Sequence, residues 1–210
     1  MNEQVAISKL RLFRSQMNPH FIFNSLNSIK DYIHKNKQDV ASDYLTQFAI
    51  VMRKTLENSQ EEWILLQDEI KFLKDYLHLE QNRLGNRFSY HLKVDELLEE
   101  DNTLIPPLLL QPFIENSIWH GFADKKEGGL LHIDFYGKDD QLVCIVDDNG
   151  KGRKQPVNDY RKTSKSLGIA ITQQRIDVLN RSKKNAANFR IIDKEQGIRV
   201  EIVIPLELDY

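Results

Sequence analysis

Leu142-Val143-Cys144-Ile145-Val146-Asp147-Asp148-Asn149-Gly150-Lys151-Gly152 turns an unbroken apolar run into an acidic, glycine-spaced loop. A short apolar run of this kind reads as a buried strand. Two glycines flanking one residue let the backbone come close to a ligand, and an aspartate there can accept a hydrogen bond from an exocyclic amine. Asp-Asn-Gly is also a favoured turn, so the stretch takes its meaning from its neighbours. Upstream, Leu131, Ile133 and Phe135 alternate with polar residues as a second strand. Downstream, a polar loop spans Asp147 to Lys165, and Leu167 to Asn180 has the period of an amphipathic helix. The chain then closes on a hairpin: Phe189 to Asp193, a turn at Glu195-Gln196-Gly197, and the alternating Ile198, Val200, Ile202 and Ile204.

Towards the N-terminus, Pro106-Pro107 suits a helix start, with the helix running to about His120 and stopping at Gly121. In such a helix Asn116 and His120 share one face. Arg87 to Val94 alternates as a strand, and Leu66 to Arg83 is helical, with Ile70, Leu73, Leu77 and Glu80 near one face. Asn58 to Glu62 is a polar joint. Before it, Leu10, Phe13, Met17 and Phe21 recur at helical intervals, and Ile22, Leu26, Ile29 and Ile33 continue on an adjacent face. A polar turn, His34 to Asp39, precedes a second helix with Ala41, Leu45, Phe48, Met52 and Leu56 on one side. Two helices cannot hide both apolar faces, so a dimeric four-helix bundle is the simplest arrangement. Helices first and mixed strands and helices afterwards give an α+β chain: a helical hairpin over residues 1–60, then an α/β sandwich over 61–210.

The bulk numbers narrow the function classes. Twenty-nine basic and 31 acidic side chains nearly cancel, which disfavours nucleic-acid binding through a whole-chain basic field. The lone cysteine, Cys144, reads as a small core residue in a reducing compartment. No apolar run approaches the roughly 18 residues of a membrane span, and Met1-Asn2-Glu3-Gln4 lacks the regions of a signal peptide. A cytoplasmic location is expected, with any membrane anchor lying upstream.

The segment Arg14 to Asn27 adds chemistry. It places Pro19-His20 inside an otherwise amphipathic helical pattern. Proline in a helix interior costs roughly 3 kcal/mol and frees a carbonyl one turn back, here that of Ser15. A helix defect beside a potential nucleophile points to His20 as the purpose of the segment. Farther along, Ser166-Leu167-Gly168-Ile169-Ala170 puts a glycine at a helix entrance, where free amides can meet phosphate. The preceding loop carries Arg153, Lys154, Arg161, Lys162 and Lys165, charges that suit a cover over a triphosphate.

Taken in order, these segments resemble a known family. Gln16 to Ile29 resembles the phosphoacceptor motif of LytS-type sensor histidine kinases, and Leu66 to Ile70, Tyr76-Leu77 and Glu80 to Arg83 resemble the block that follows it. Ile105 to Gly121 resembles the N box of the gyrase/Hsp90/histidine-kinase/MutL (Bergerat) ATP-binding fold. Asp148-x-Gly150-x-Gly152 resembles its G1 box, and Ser166 to Arg175 its G2 region.

The resemblance implies a homodimeric protein-histidine kinase that uses ATP and Mg²⁺. His20 would be phosphorylated and would pass the phosphoryl group to an aspartate of a response-regulator receiver domain, in relatives often joined to a LytTR-type DNA-binding domain. No direct nucleic-acid contact is implied. An exposed imidazole is mostly neutral at pH 7 and hence nucleophilic. Asn24 matches the place of a residue that orients water for phosphatase action, and Glu115 is a secondary catalytic candidate. Asn116 matches the Mg²⁺-coordinating residue, His120 a position near the phosphates, and Asp148 the reader of the adenine amino group. Gly150, Gly152 and Gly168 match glycines lining the nucleotide. Lys151 and Arg175 fall in the matched segments as further contacts.

The chain departs from the family pattern at several positions. Trp119 stands where many N boxes carry lysine, Ser166 replaces the first G2 glycine, and Ile171 replaces a common asparagine. Phe21 follows His20 where many histidine kinases carry an acid. These changes motivate an alternative, a dimeric signalling scaffold of weak or no catalytic activity. A gyrase- or MutL-like ATP hydrolase is disfavoured, because Pro112 holds the place of the water-activating glutamate.

Overall fold

The computed structural model describes residues 19–153, 167–182 and 187–209. Helix α1 (Pro19–His34) and helix α2 (Gln38–Asn58) form the expected hairpin. Asn36 makes the turn by adopting the left-handed region, φ 54°. Lys37 N–H then donates to the Tyr32 carbonyl and Asn36 N–H to that of Ile33, which satisfies the last carbonyls of α1. Ser15 and the apolar positions Leu10, Phe13 and Met17 lie outside the described residues, as does the chain before Pro19.

The buried stripe of the hairpin is rotated from the expected one. Phe21 and Ser25 on α1, and Ala41, Tyr44, Val51 and Thr55 on α2, are buried. Leu26, Ile33 and Leu45 are about half exposed, at 49%, 55% and 49%. The hairpin has two apolar stripes, and its inner one rests on the next helix.

That helix, α3 (Leu66–Leu84), is amphipathic, with Gln67, Lys71, Lys74, His78 and Asn82 exposed along one stripe and the rest largely covered. Leu66, Phe72, Leu73, Tyr76, Leu77 and Leu79 are fully enclosed, each contributing about 1.5–3 kcal/mol of hydrophobic stabilisation. The wide covered face of α3 meets both the hairpin and the segment around Leu108 and Trp119. Phe21 packs on Tyr76 with ring centroids 5.3 Å apart. Lys54 pairs with Asp75 at 2.9 Å, and Tyr32 Oη donates to the Asn82 carbonyl.

The principal sheet has the order β2-β4-β5-β7-β6, with β2 (Phe88–Val94) parallel to β4 (Gly129–Lys138). Antiparallel pairs join β4 to β5 (Gln141–Asp148), β5 to β7 (Ile198–Pro205), and β7 to β6 (Asn188–Asp193). Ile133 and Phe135 face Val146 and Cys144, which in turn face Val200 and Ile202, forming one apolar inner face. Burial pushes the Cys144 thiol far up, as befits a core residue. A small second sheet, β1 (Ile64–Leu65), β3 (Thr103–Ile105) and β8 (Glu207–Leu208), is not foreshadowed by the sequence pattern. Its strands are too short to show a period.

The helix expected from Pro106 to His120 is broken into parts. Leu108 takes φ 58°, so the two prolines lie in an irregular approach. Helix α4 (Gln111–Asn116) is followed by a π turn over Ser117–Gly121, closed by Phe122 N–H on the Ser117 carbonyl at 2.9 Å. Helix α5 (Leu167–Ser182) lies beside α4. Residues 154–166, including Lys154, Arg161, Lys162, Lys165 and Ser166, lie outside the described residues.

The β6–β7 turn depends on Gly197, whose φ is 87° and whose added Cβ would stand 1.8 Å from the Asp148 carbonyl oxygen. Gly85, φ 63°, has nothing within 4 Å of the same construction. Gly85→Ala is therefore expected to cost about 1–2 kcal/mol of backbone strain in urea unfolding. Gly197→Ala is expected to cost more, since the backbone of the β5 end must also move.

Candidate functional site

The end of β5 carries Asp148, which is 4% exposed. Its Oδ2 accepts a hydrogen bond from Ser117 Oγ at 2.8 Å, and its Oδ1 accepts from Gly150 N–H at 2.8 Å. One carboxylate thus ties the π turn to the glycine loop. Lys151 N–H donates to the Gly121 carbonyl at 3.0 Å, closing the same junction. A Cβ on Gly150 would lie 2.6 Å from Gly121 Cα, so the two backbones touch. The sequence pattern placed Gly150 for ligand access; the structure shows a close backbone crossing that also requires glycine. Gly152 has φ 66°.

Asn149 completes the loop from outside. Its Oδ1 accepts from Leu130 N–H and its Nδ2 donates to the Gly128 carbonyl. Sequence reading passed over both Asn149 and Ser117. The faint signal for each was a small polar residue beside an already suspected position.

Asn116 ends α4 and is half-buried, while His120 lies in the π turn and is exposed. The regular helical face expected for this pair is altered by the wider turn. Glu115 accepts from Gln111 Nε2 at 2.9 Å. Lys151 Nζ pairs with Asp124 at 2.8 Å. Gly168 is the second residue of α5.

Two basic residues are engaged elsewhere. Arg153, expected in a phosphate cover, makes a two-point pair with Asp193 at 2.6 and 2.7 Å. Arg175 Nη1 donates to the Pro107 carbonyl and lies near Glu69; burial lowers its pKa and Glu69 opposes the shift. Glu69 is wholly buried and accepts from Leu108 N–H at 3.1 Å. Burial pushes its carboxyl up to about 7 against the Leu108 bond and the Arg175 charge. Arg175 therefore braces the approach to α4.

His20 is exposed at the start of the described α1. The Asn24 amide lies 3.1 Å from its Nδ1 and 3.3 Å from its Nε2. Its ring meets Trp119 edge-on, with centroids 5.0 Å apart and planes at 70°. Trp119 Nε1 donates to Glu80 Oε2 at 3.1 Å, and Arg83 binds the same buried carboxylate. The suspected acceptor thus stands against the segment that carries Asn116 and Ser117.

The glycine-floored junction fits a nucleotide. A carboxylate offers about four lone-pair sites, and the two donors on Asp148 leave capacity for an adenine amine. Among the described residues no cluster of three or more His, Cys, Asp or Glu could hold a metal. A divalent ion here would rely on phosphate oxygens and water, which is the habit of Mg²⁺, with Asn116 as a neutral ligand.

Known proteins resemble this chain in sequence and in fold. Residues 8–88 match the family described as Histidine kinase. The sensor protein LytS of Staphylococcus epidermidis is 34% identical over 145 residues, covering 69% of this chain and 24% of that protein. This chain belongs to the LytS-type histidine kinases. The sensor histidine kinase YpdA of Escherichia coli is 34% identical over 152 residues, 72% of this chain and 26% of that one. The chain spans about a quarter of the length of these curated relatives. A histidine kinase domain from the blue-light activated kinase of Erythrobacter litoralis superposes with a TM-score of 0.53 at 17% identity, covering 94% of both chains, and shares the fold. No helix among the described residues is long and apolar enough to cross a membrane.

The buried Glu69 gives a pH signature. Its carboxyl is near 4.5 when unfolded and about 7 when folded. Between these values the folded chain holds a proton that the unfolded chain has released, so stability falls as pH rises through that window. Glu69→Gln keeps an acceptor for Leu108 N–H and removes the titration. Urea midpoints at pH 5 and pH 8 should then differ less for Glu69→Gln than for the unaltered chain.

Proposed function

We propose that this chain is the kinase core of a two-component sensor, moving the γ-phosphoryl group of ATP to His20 and then to an aspartate of a response-regulator receiver domain. The observation that carries this reading is the contact between the His20 ring and Trp119, three residues beyond Asn116. It brings a nucleophile beside the segment that frames Asp148. Membership of the histidine kinase family implies ATP as the donor.

The residues divide the work as follows. Asp148 reads the adenine amine while Ser117 and Gly150 fix its orientation. Gly152, Gly168, Lys151 and His120 border the phosphates, and Asn116 helps hold Mg²⁺. A Mg²⁺ ion held there with the phosphates would supply neutralisation of phosphate charge. A ring nitrogen of His20 forms the N–P bond as the bond from phosphorus to the bridging oxygen breaks. That oxygen leaves on ADP with the electron pair, and the proton on the other ring nitrogen passes to water. Asn24 lies against the ring, where it can orient a water for phosphatase action. Glu115, held by Gln111, shapes the edge of the site. Arg175 supports α4 instead of gripping phosphate.

In this reading residues 1–60 form the phosphoacceptor and dimerisation unit, and residues 61–210 the nucleotide-binding unit. The exposed stripe Phe23, Leu26, Ile33, Val40, Leu45 and Ile50 supports pairing with a second copy. The kinase works in the cytoplasm, and the receiving regulator carries a LytTR-type DNA-binding domain.

Incubation with γ-labelled ATP and Mg²⁺ tests the assignment. The unaltered chain should gain acid-labile label, His20→Gln should gain none, and Asn116→Asp should lose at least about tenfold of the rate, the scale of one misplaced electrostatic contact. Label persisting in His20→Gln would sink the role of His20. Asp148→Asn should weaken nucleotide binding, read by displacement of a fluorescent ATP analogue, while leaving the far-ultraviolet dichroism unchanged.

A further inference from the structure

Trp119 is held in an unusual way. Its indole N–H reaches Glu80, a carboxylate with no solvent exposure at all, and Arg83 from the next turn of α3 neutralises that carboxylate. Burying an ion pair is costly, and apolar residues of similar size are often at least as stabilising. The pair does, however, give the indole a fixed rotation. A π turn carries the residue, and such turns gather at functional sites. The free edge of this fixed system meets His20, the ring centroids 5.0 Å apart. The Asn24 amide also lies against the His20 ring, 3.1 Å from Nδ1, and Phe21 anchors the helix by packing on Tyr76 and Phe48. The hairpin that carries His20 packs directly on α3, which also holds Trp119 through Glu80.

We propose that Trp119, fixed by the Glu80–Arg83 pair, is a positioning residue that seats the His20 ring at the nucleotide site of its own chain, so that phosphoryl transfer runs within one subunit. The proposal rests on His20 as phosphoacceptor. It gives Trp119 a task different from the phosphate contact of a lysine at this place. The indole touches the nucleophile, and its loss leaves ATP bound but the imidazole free to swing.

Trp119→Phe keeps an aromatic ring and removes the donor to Glu80. Its kcat for His20 labelling is expected to fall at least tenfold, with the KM for ATP within about twofold of the unaltered value. A merely structural role would move both together, and a contact that parks the ring away from ATP would raise kcat; either result overturns the proposal. Glu80→Gln, which keeps an acceptor for the indole, should retain more activity than Glu80→Ala. Co-expressed His20→Gln and Asn116→Asp chains provide the second arm. Transfer within a subunit leaves the mixed dimer labelled no faster than Asn116→Asp alone, and faster labelling of the Asn116→Asp partner overturns that part.

A third arm needs no catalysis. In a Trp63→Phe background Trp119 is the remaining tryptophan of the chain. Adding His20→Gln should change its emission or at least double its quenching by acrylamide. No change would overturn the contact itself. Absence of label from the unaltered chain would instead remove the kinase reading while this fluorescence result still judged the contact.

Discussion

Two buried carboxylates on α3 set the register of the nucleotide-binding half. Glu69 and Glu80 are 11 residues apart, close to three full helical turns, so they lie on the same face about 16 Å apart along the axis. Glu69 receives Leu108 N–H just before α4, and Glu80 receives Trp119 Nε1 just after it. Both bonds span the same sequence separation of 39. The segment from Leu108 to Trp119 is therefore fastened at both ends to one helix. An unpaired buried charge costs several kcal/mol, so a slip of this segment is penalised at two points at once.

From this clamp the rest of the site follows. Ser117 lies between the fastened ends and reaches across to Asp148, which in turn holds Gly150 N–H. The order of dependence runs from α3 to the π turn, then to the end of β5 and its glycine loop. Arg175 joins the first clamp from α5 through the Pro107 carbonyl and the charge of Glu69. Helix α3 also carries the hairpin on its opposite side through Tyr76 and Asp75. It touches both the suspected acceptor helix and the segment from Leu108 to Trp119.

The sequence made much of this legible. The hairpin, α3 and all five principal-sheet strands, the last two as the closing hairpin, announced themselves because hydrophobic patterning survives wherever a face is buried. Asp148, Gly150 and His20 stood out by their chemistry. What stayed hidden was long-range. Glu80 could be placed near the apolar face of its helix, but nothing local marks Trp119, 39 residues away, as the group that donates to it. The basic residues Arg153 and Arg175 looked like phosphate ligands because local pattern cannot reveal Asp193 or the Pro107 carbonyl as competing partners. The helix expected from Pro106 failed at Leu108, whose left-handed backbone is a tertiary imposition on an ordinary leucine. The π turn likewise leaves no compositional mark.

Phe21 brings these strands of argument together. In place of an acid beside the histidine, this chain has a ring that is 5% exposed and packed between Phe48 and Tyr76. The side chain next to His20 therefore serves adhesion to α3, not proton transfer. Because that adhesion uses the inner stripe of the hairpin, the outer stripe with Phe23, Leu26 and Leu45 remains available. A second hairpin laid on the outer stripe would leave the contact between His20 and Trp119 in place. A dimer contact on the outer stripe and the proposed seating of His20 beside Trp119 would use separate faces of the same two helices, and neither would have to be broken for the other to form.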